Sequence, residues 1–199
     1  MSLAMIATVV EGQGEVAAVP VLLRRMIAEI APELWVDLPR PYRVGRDSLI
    51  APYGLERTIG ALAEQGGPGT GLLVLLDADD ACPATLGPQL LARVRETRPD
   101  RPGSVVLANR EFEAWFLASA PSLRGHRGLA NDLTLPADAE RPRDCKGWLS
   151  ERRVDGRPYK PTADQAALAA LFDMRLAREN SPSFDKLWRD VERLLREAT

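Results

Sequence analysis

The stretch Leu72-Leu73-Val74-Leu75-Leu76-Asp77-Ala78-Asp79-Asp80 decides the fold class. Five aliphatic residues in succession fit a strand buried on both faces, and such strands belong to parallel sheets covered by helices. The carboxylates that follow mark where the strand leaves the core. A run of the same character at residues 5–10 closes on Glu11-Gly12-Gln13-Gly14, which reads as a strand entering a turn. Residues 15–30 then carry Val16, Val19, Leu22, Leu23, Met26, Ile27 and Ile30 at helical spacing. Pro20 falls only about one turn inside that helix, where a missing N–H matters least. Further helices are expected at 54–65, 83–98 and 111–120, and further strands at 34–38 and 104–107. Residues 39–52 read as a loop. This alternation predicts an α/β fold: an open, mainly parallel, Rossmann-like sheet of about four strands, with helices on both faces and right-handed crossovers.

After residue 120 the texture changes. Residues 121–160 are rich in Pro, Gly and Arg and show no clear period. Between 141 and 160 there are seven basic and three acidic residues. Helical periodicity returns at 163–178 and 184–197. The expected organisation is an α/β core over 1–120. A basic irregular arm and C-terminal helices over 121–199 pack on it, giving one compact domain.

Composition narrows the function classes. The chain has 199 residues, 45% hydrophobic and 27% charged, with a net charge of −2, an ordinary globular profile. Two cysteines and one histidine rule out a cysteine or multi-histidine zinc site. No apolar run reaches the roughly 18 residues of a membrane span, and no signal peptide is read at the N-terminus. Reduced thiols and a cytoplasmic location are expected.

In open parallel sheets, functional groups gather at the carboxyl ends of strands. Glu11, Asp77 and Asp79 stand there, and Glu111 and Glu113 follow the fourth strand by a few residues. Like charges about 4 Å apart repel by roughly 4 kcal/mol at an effective dielectric near 20. A convergent set must therefore protonate, recruit basic partners or bind a cation. Oxygen ligands without His or Cys favour Mg²⁺ or Mn²⁺. Asp-x-Asp after a strand is also ordinary turn and cap chemistry.

Val9-Val10-Glu11-Gly12-x-x-Glu15 followed by Leu75-Leu76-Asp77-Ala78-Asp79 resembles the TOPRIM domain of topoisomerases, primases and OLD-type nucleases. The run Leu107-Ala108-Asn109-Arg110-Glu111-Phe112-Glu113-Ala114-Trp115-Phe116-Leu117-Ala118, with Asn180-Ser181-Pro182-Ser183-Phe184, looks like the TOPRIM-like DUF4276 family. The resemblance covers nearly the whole chain. It implies that Glu11 is a metal ligand or general acid/base, and that Asp77 and Asp79 are metal ligands. It implies that Glu15 helps hold a second ion, and that Glu111 or Glu113 is the later acidic ligand. On a helix those two would stand about 200° apart, so only one is expected to face the site; the family-like pattern favours Glu113. The resemblance also implies a lysine near the phosphate, with Lys146 and Lys160 as candidates, and a separately encoded ATPase as partner.

The resulting expectation is a Mg²⁺- or Mn²⁺-dependent phosphoryl-transfer enzyme, a nuclease acting on DNA or RNA. Arg40, Arg43 and Arg46, and Arg152 and Arg153 in the arm, are candidates for backbone phosphates. Trp148 and Tyr159 are candidates for base stacking, whereas Trp115 and Phe116 read as core. Cys82 reads as a small buried residue and His126 as a surface one. Two other classes compete. One is a non-catalytic metal-binding or protein-interaction module. The other is a nucleotide or dinucleotide binder using Gly12-x-Gly14, with Asp37 placed to meet a ribose. Against the latter, Glu11 and Glu15 bracket the turn where a pyrophosphate would sit.

Overall fold

The computed structural model describes residues 4–197. Its strands are β1 (Ala4–Val10), β2 (Val36–Asp37), β3 (Tyr42–Arg43), β4 (Thr70–Asp77) and β5 (Gly103–Ala108). All pairings are parallel, in the order β2–β1–β4–β5, with β3 joining β1 in line with β2. The helices are α1 (Glu15–Ile30), α2 (Arg46–Ile50), α3 (Gly54–Ala63), α4 (Pro83–Thr97), α5 (Ala114–Leu117), α6 (Cys145–Glu151), α7 (Ala166–Ala169), α8 (Met174–Asn180) and α9 (Pro182–Glu197).

Side-chain alternation along the strands divides the core in two. Ile6, Val10, Leu73, Leu75, Val106 and Ala108 face a cluster built with α1, α9 and the arm. Ala7, Val9, Leu72, Val74, Leu76, Val105 and Leu107 face a second cluster with α2, α3 and α4. The sheet is thus open, parallel and covered on both faces, as the aliphatic runs predict. Phe112, Trp115, Phe116, Phe172 and Phe184 meet in tilted and edge-on pairs with centroids 4.7 to 5.6 Å apart. Trp115 and Phe116 are therefore core. Trp115 Nε1 donates to Ser183 Oγ at 2.9 Å, fixing the start of α9 against the residues that follow β5.

Several elements differ from expectation. β3 and α2 occupy the 39–52 stretch read as a loop. β2 is two residues long, because it has only Ala4 and Met5 of β1 to pair with before Pro39 turns the chain away. The helix expected over 111–120 begins only at Ala114 and passes into a 3₁₀ turn at Ala120–Leu123. The helix expected over 163–178 is broken into a π turn (Pro161–Gln165), α7 and α8. Asp173 restarts it by accepting the N–H groups of Arg175 and Leu176. The arm holds α6, too short at 7 residues to impose a readable period. No helix among the described residues is long and apolar enough to cross a membrane.

Candidate active site

Parallel pairing brings the ends of β1, β4 and β5 to one edge, with Val10 beside Leu75 and Asp77 beside Ala108. A cavity of about 270 Å³ opens there, lined by Glu11, Glu15, Asp77, Glu113, Lys146 and Gln165 together with the Gly12–Gly14 turn and Pro161–Thr162.

Glu15 begins α1 and folds back over the preceding turn. Its Oε2 accepts the backbone N–H of Glu11 and of Gly12, each at 3.1 Å, as helix-start carboxylates do. Burial outweighs those two bonds and, with the charges of Glu113 and Glu11, pushes Glu15 up to about 7. Asp77 Oδ1 accepts the Phe112 N–H at 2.7 Å. Burial, then the charges of Glu15 and Glu113, hold Asp77 well above the usual carboxylate range. Glu11 is partly buried, and its Oε2 is enclosed without a hydrogen bond. Burial, then the charge of Asp79, raise it, against the opposing pull of Arg46 and of the Asp77 backbone N–H.

Glu113 is fully buried. Its Oε1 accepts from Tyr159 Oη at 3.0 Å and from Gln165 Nε2 at 3.3 Å. Its Oε2 lies 3.1 Å from Lys146 Nζ, an ion pair without hydrogen-bond alignment. Burial raises Glu113 in spite of that cation. Lys146 Nζ also donates to Glu111 Oε1 at 2.7 Å. Glu111 Oε2 in turn accepts the N–H of Cys145 at 2.9 Å and of Lys146 at 3.3 Å, capping the start of α6. Burial alone would lower the Lys146 ammonium; the carboxylates of Glu113, Glu111 and Asp77 outweigh it and hold the ammonium above its ordinary value. No helix covers residues 111–113, so the 200° separation expected for Glu111 and Glu113 does not arise. Both carboxylates reach the same lysine.

The other candidates lie elsewhere. Asp79 pairs with Arg46 and stays outside the cavity lining. It adopts φ 49° and Arg110 adopts φ 67°, both left-handed. The two are stitched by Asp79 N–H to the Arg110 carbonyl at 3.0 Å and by Arg110 Nη1 to the Asp79 carbonyl at 2.9 Å. Asp80 pairs with Arg110 at 3.0 Å and Arg143 at 3.1 Å. Arg40 and Arg43 are exposed and form no ion pair among the described residues. Arg152 lies 3.8 Å from the Trp148 ring centroid. Arg153 is partly buried, tied to Asp155 at 2.6 Å and Asp164 at 3.2 Å, which takes it away from any phosphate. Lys160 is exposed and outside the cavity lining. Tyr159 is buried on Glu113 and offers no stacking face. Cys82 is exposed, contrary to expectation, Cys145 is buried, and His126 is exposed.

A family model described as a domain of unknown function, DUF4276, matches residues 10–192. The chain belongs to the DUF4276 family. The matched span runs from the last residue of β1 into α9 and so contains every residue of the cavity. Neither the curated proteins nor the solved structures gave a match.

In this DUF4276 domain, sequence reasoning missed Gln165 and gave Tyr159 a different role, base stacking; both meet Glu113, across 52 and 46 residues of chain. No local signal marks them. The π turn that carries Gln165 is clamped by Asp164. That carboxylate receives Arg127 Nη2 at 2.9 Å, Arg153 Nη1 at 3.2 Å and the Lys160 N–H at 2.9 Å. Gly14 belongs to the same fit: a Cβ there would stand 2.2 Å from Gln165 Oε1 and 2.8 Å from the Pro161 carbonyl carbon. Among the described residues, no three His, Cys, Asp or Glu side chains already stand as a metal-holding group.

Proposed function

We propose that this DUF4276 domain is a divalent-cation-dependent phosphoryl-transfer enzyme, most concretely a nuclease acting on DNA or RNA. The observation that carries the reading is a surplus of buried negative charge. Glu11, Glu15, Asp77 and Glu113 line one cavity with Lys146 as the cation among the lining residues, and all four are raised from their ordinary values, burial being the first cause of each. Such a set is relieved by protons or by a bound cation. Its all-oxygen chemistry fits Mg²⁺ or Mn²⁺, and the unpartnered, enclosed Glu11 Oε2 is a donor atom with nothing to hold. Glu11 and Asp77 are the residues that would hold an ion. When bound, it would supply charge neutralisation at a phosphate oxygen and a more acidic water. The resemblance of the Glu11 and Asp77 motifs to TOPRIM nucleases supports the same reading.

The chain's own groups then have distinct roles. Glu11, which matches the glutamate that the TOPRIM resemblance makes a general acid/base, takes the proton of an attacking water. Lys146 places a fixed positive charge beside Asp77 and Glu113, where negative charge develops on a phosphate in the cavity. Arg40 and Arg43, unpaired and exposed, contact nucleic-acid phosphates without reading sequence. Glu15 holds the turn. A separately encoded ATPase remains the partner that the OLD-type resemblance implies.

The dinucleotide alternative is weakened by the occupation of the Glu11 and Gly12 amides by Glu15 and by Pro161 pressed on Gly14. The interaction-module alternative draws on the ion pairs of Lys146. The test is cleavage of supercoiled plasmid, linear duplex, single-stranded DNA and RNA with Mg²⁺ or Mn²⁺, with and without an ATPase encoded beside the gene. Cleavage by the wild type that is lost in Glu11→Gln and Asp77→Asn is the expected result. Equal cleavage by all three marks a contaminant, and no cleavage under any condition sinks the nuclease reading.

A further inference from the structure

The geometry points to a second copy of this chain as the occupant of an apolar trough between α1 and β2, giving a two-fold symmetric dimer. This is independent of the phosphoryl-transfer reading and goes beyond it. One part of the trough is a cavity of about 280 Å³ with walls that include Arg24, Ala28, Trp35 and Leu38. A second cavity, of about 330 Å³, is lined by Ile30 and Glu33 among others. Ala31 and Leu34 line both, so the two run together. Trp35 is 78% exposed at its rim. Along α1, Ala17, Arg24 and Ala28 are exposed and Val21 half-buried, at spacings of four, three and four residues. They share one helix face, and Arg24 is the one charge among them. A large indole and an arginine beside apolar surface are the side chains on which protein interfaces depend most.

The charges say what covers it. Arg24 belongs to the first cavity alone and Glu33 to the second alone. Both are exposed, and neither forms an ion pair among the described residues. A two-fold axis through the shared middle, near Ala28 and Ala31, lays one trough antiparallel on the other. Arg24 then meets the partner's Glu33, and Glu33 the partner's Arg24, so one contact closes two ion pairs. The small side chains at the centre let the two α1 helices approach closely, while each Trp35 covers apolar surface across the axis. A foreign protein would have to present this charge pattern reversed; a second copy already carries it. The arrangement leaves the acidic cavity open. β2 pairs with Ala4 and Met5 at the amino end of β1, whereas Glu11 and Asp77 line their cavity at the carboxyl end of the sheet.

The experiment is sedimentation velocity on the full chain over a range of concentrations up to about 100 µM. The samples are wild type, Trp35→Ala, Arg24→Glu, Glu33→Arg and the double variant Arg24→Glu/Glu33→Arg. All the replaced side chains are exposed, and circular dichroism checks that each protein is folded. We expect a wild-type dimer that Trp35→Ala weakens at least about thirtyfold. Each single charge reversal should weaken it about tenfold, and the double variant should return to within about threefold of wild type. A wild-type monomer at the highest concentration would overturn the inference and leave the trough to another occupant. A dimer that Trp35→Ala and Arg24→Glu leave unchanged would place the contact on a different face. A double variant no tighter than the single reversals would remove the two-fold pairing of Arg24 with Glu33, and the proposal with it.

Discussion

Two acidic groups stand at the same end of the sheet, and Asp77-Ala78-Asp79-Asp80 contributes to both. The outer group, Asp79 and Asp80, is exposed and matched by Arg46, Arg110 and Arg143. The inner group, Glu15, Asp77, Glu111 and Glu113, is largely withdrawn from water; Lys146 pairs with Glu111 and Glu113 and its charge also acts on Asp77. One residue of strand alternation separates a carboxylate that lines the cavity from the next residue, Ala78, which is buried in the opposite core cluster. A further residue in a left-handed turn sends Asp79 to an arginine. Sequence proximity does not set the chemistry of a carboxylate here; solvent access and the local count of cations do.

The largest expected contrast is in turnover. Asp77→Asn should lower metal-dependent cleavage at least a hundredfold, about 2.7 kcal/mol of barrier. Asp80→Asn should leave it within about twofold, since its carboxylate is exposed and arginine-paired. Similar losses from both, in the same assay, would erase the distinction between the groups.

Next comes the clamp that holds the cavity wall. Asp164 has a side chain 6% exposed and accepts from Arg127, Arg153 and the Lys160 N–H, so its removal strips three donors that hold the turn of their acceptor, even though Arg153 keeps Asp155. Asp164→Ala should therefore destabilise the fold by about 3 kcal/mol in urea unfolding. A loss below about 1 kcal/mol would show that the π turn is held by something else.

The inner group also sets a pH dependence. Glu15 stands at about 7 in the fold against an ordinary 4.5. Between those values the native chain keeps a proton that the unfolded chain releases. Stability is thus full below the lower value and falls as pH rises through the upper one. From pH 5 to pH 8, without metal, the urea midpoint should fall by the equivalent of about 2.5 kcal/mol. Glu15→Gln should flatten the slope. A midpoint that rises over this range would contradict the buried surplus.

The smallest effect belongs to the outer group. Asp79→Asn loosens an ion pair whose carboxylate side chain is 57% exposed, so the thermal midpoint should change by less than the equivalent of about 1 kcal/mol. A larger shift would make Arg46 a structural anchor.

Much of this architecture is legible in the amino-acid sequence. The aliphatic runs before Glu11 and Asp77 place both acids at the carboxyl edge, because uninterrupted apolar strands need a parallel sheet with two covered faces. The spacing of α1 and α4 gives those helices nearly residue by residue. Legibility ends where pairing is made by distant partners. β3 is two residues that become a strand only beside Val9 and Val10. Glu111 and Glu113 misread as helical because Phe112, Trp115 and Phe116 mimic a helical stripe, whereas they serve an aromatic cluster entered through a turn. Tyr159 and Gln165 carry no local signal, since their role exists only once the chain has returned to Glu113. Lys146 is visible only through the family resemblance, and the charge run around it lends Arg153 and Lys160 equal standing.

The free edge of β1 is covered in two pieces. β2 takes Ala4 and Met5 and β3 takes Val9 and Val10, with Pro39 and Pro41 in the link between them. At the far edge β5 is buried along its whole length, packed by α4 and α9. A foreign strand would find no continuous ladder at either side, only short fragments and prolines without an N–H to offer. The sheet is therefore finite by construction, and its edges protect the molecule from fibre growth.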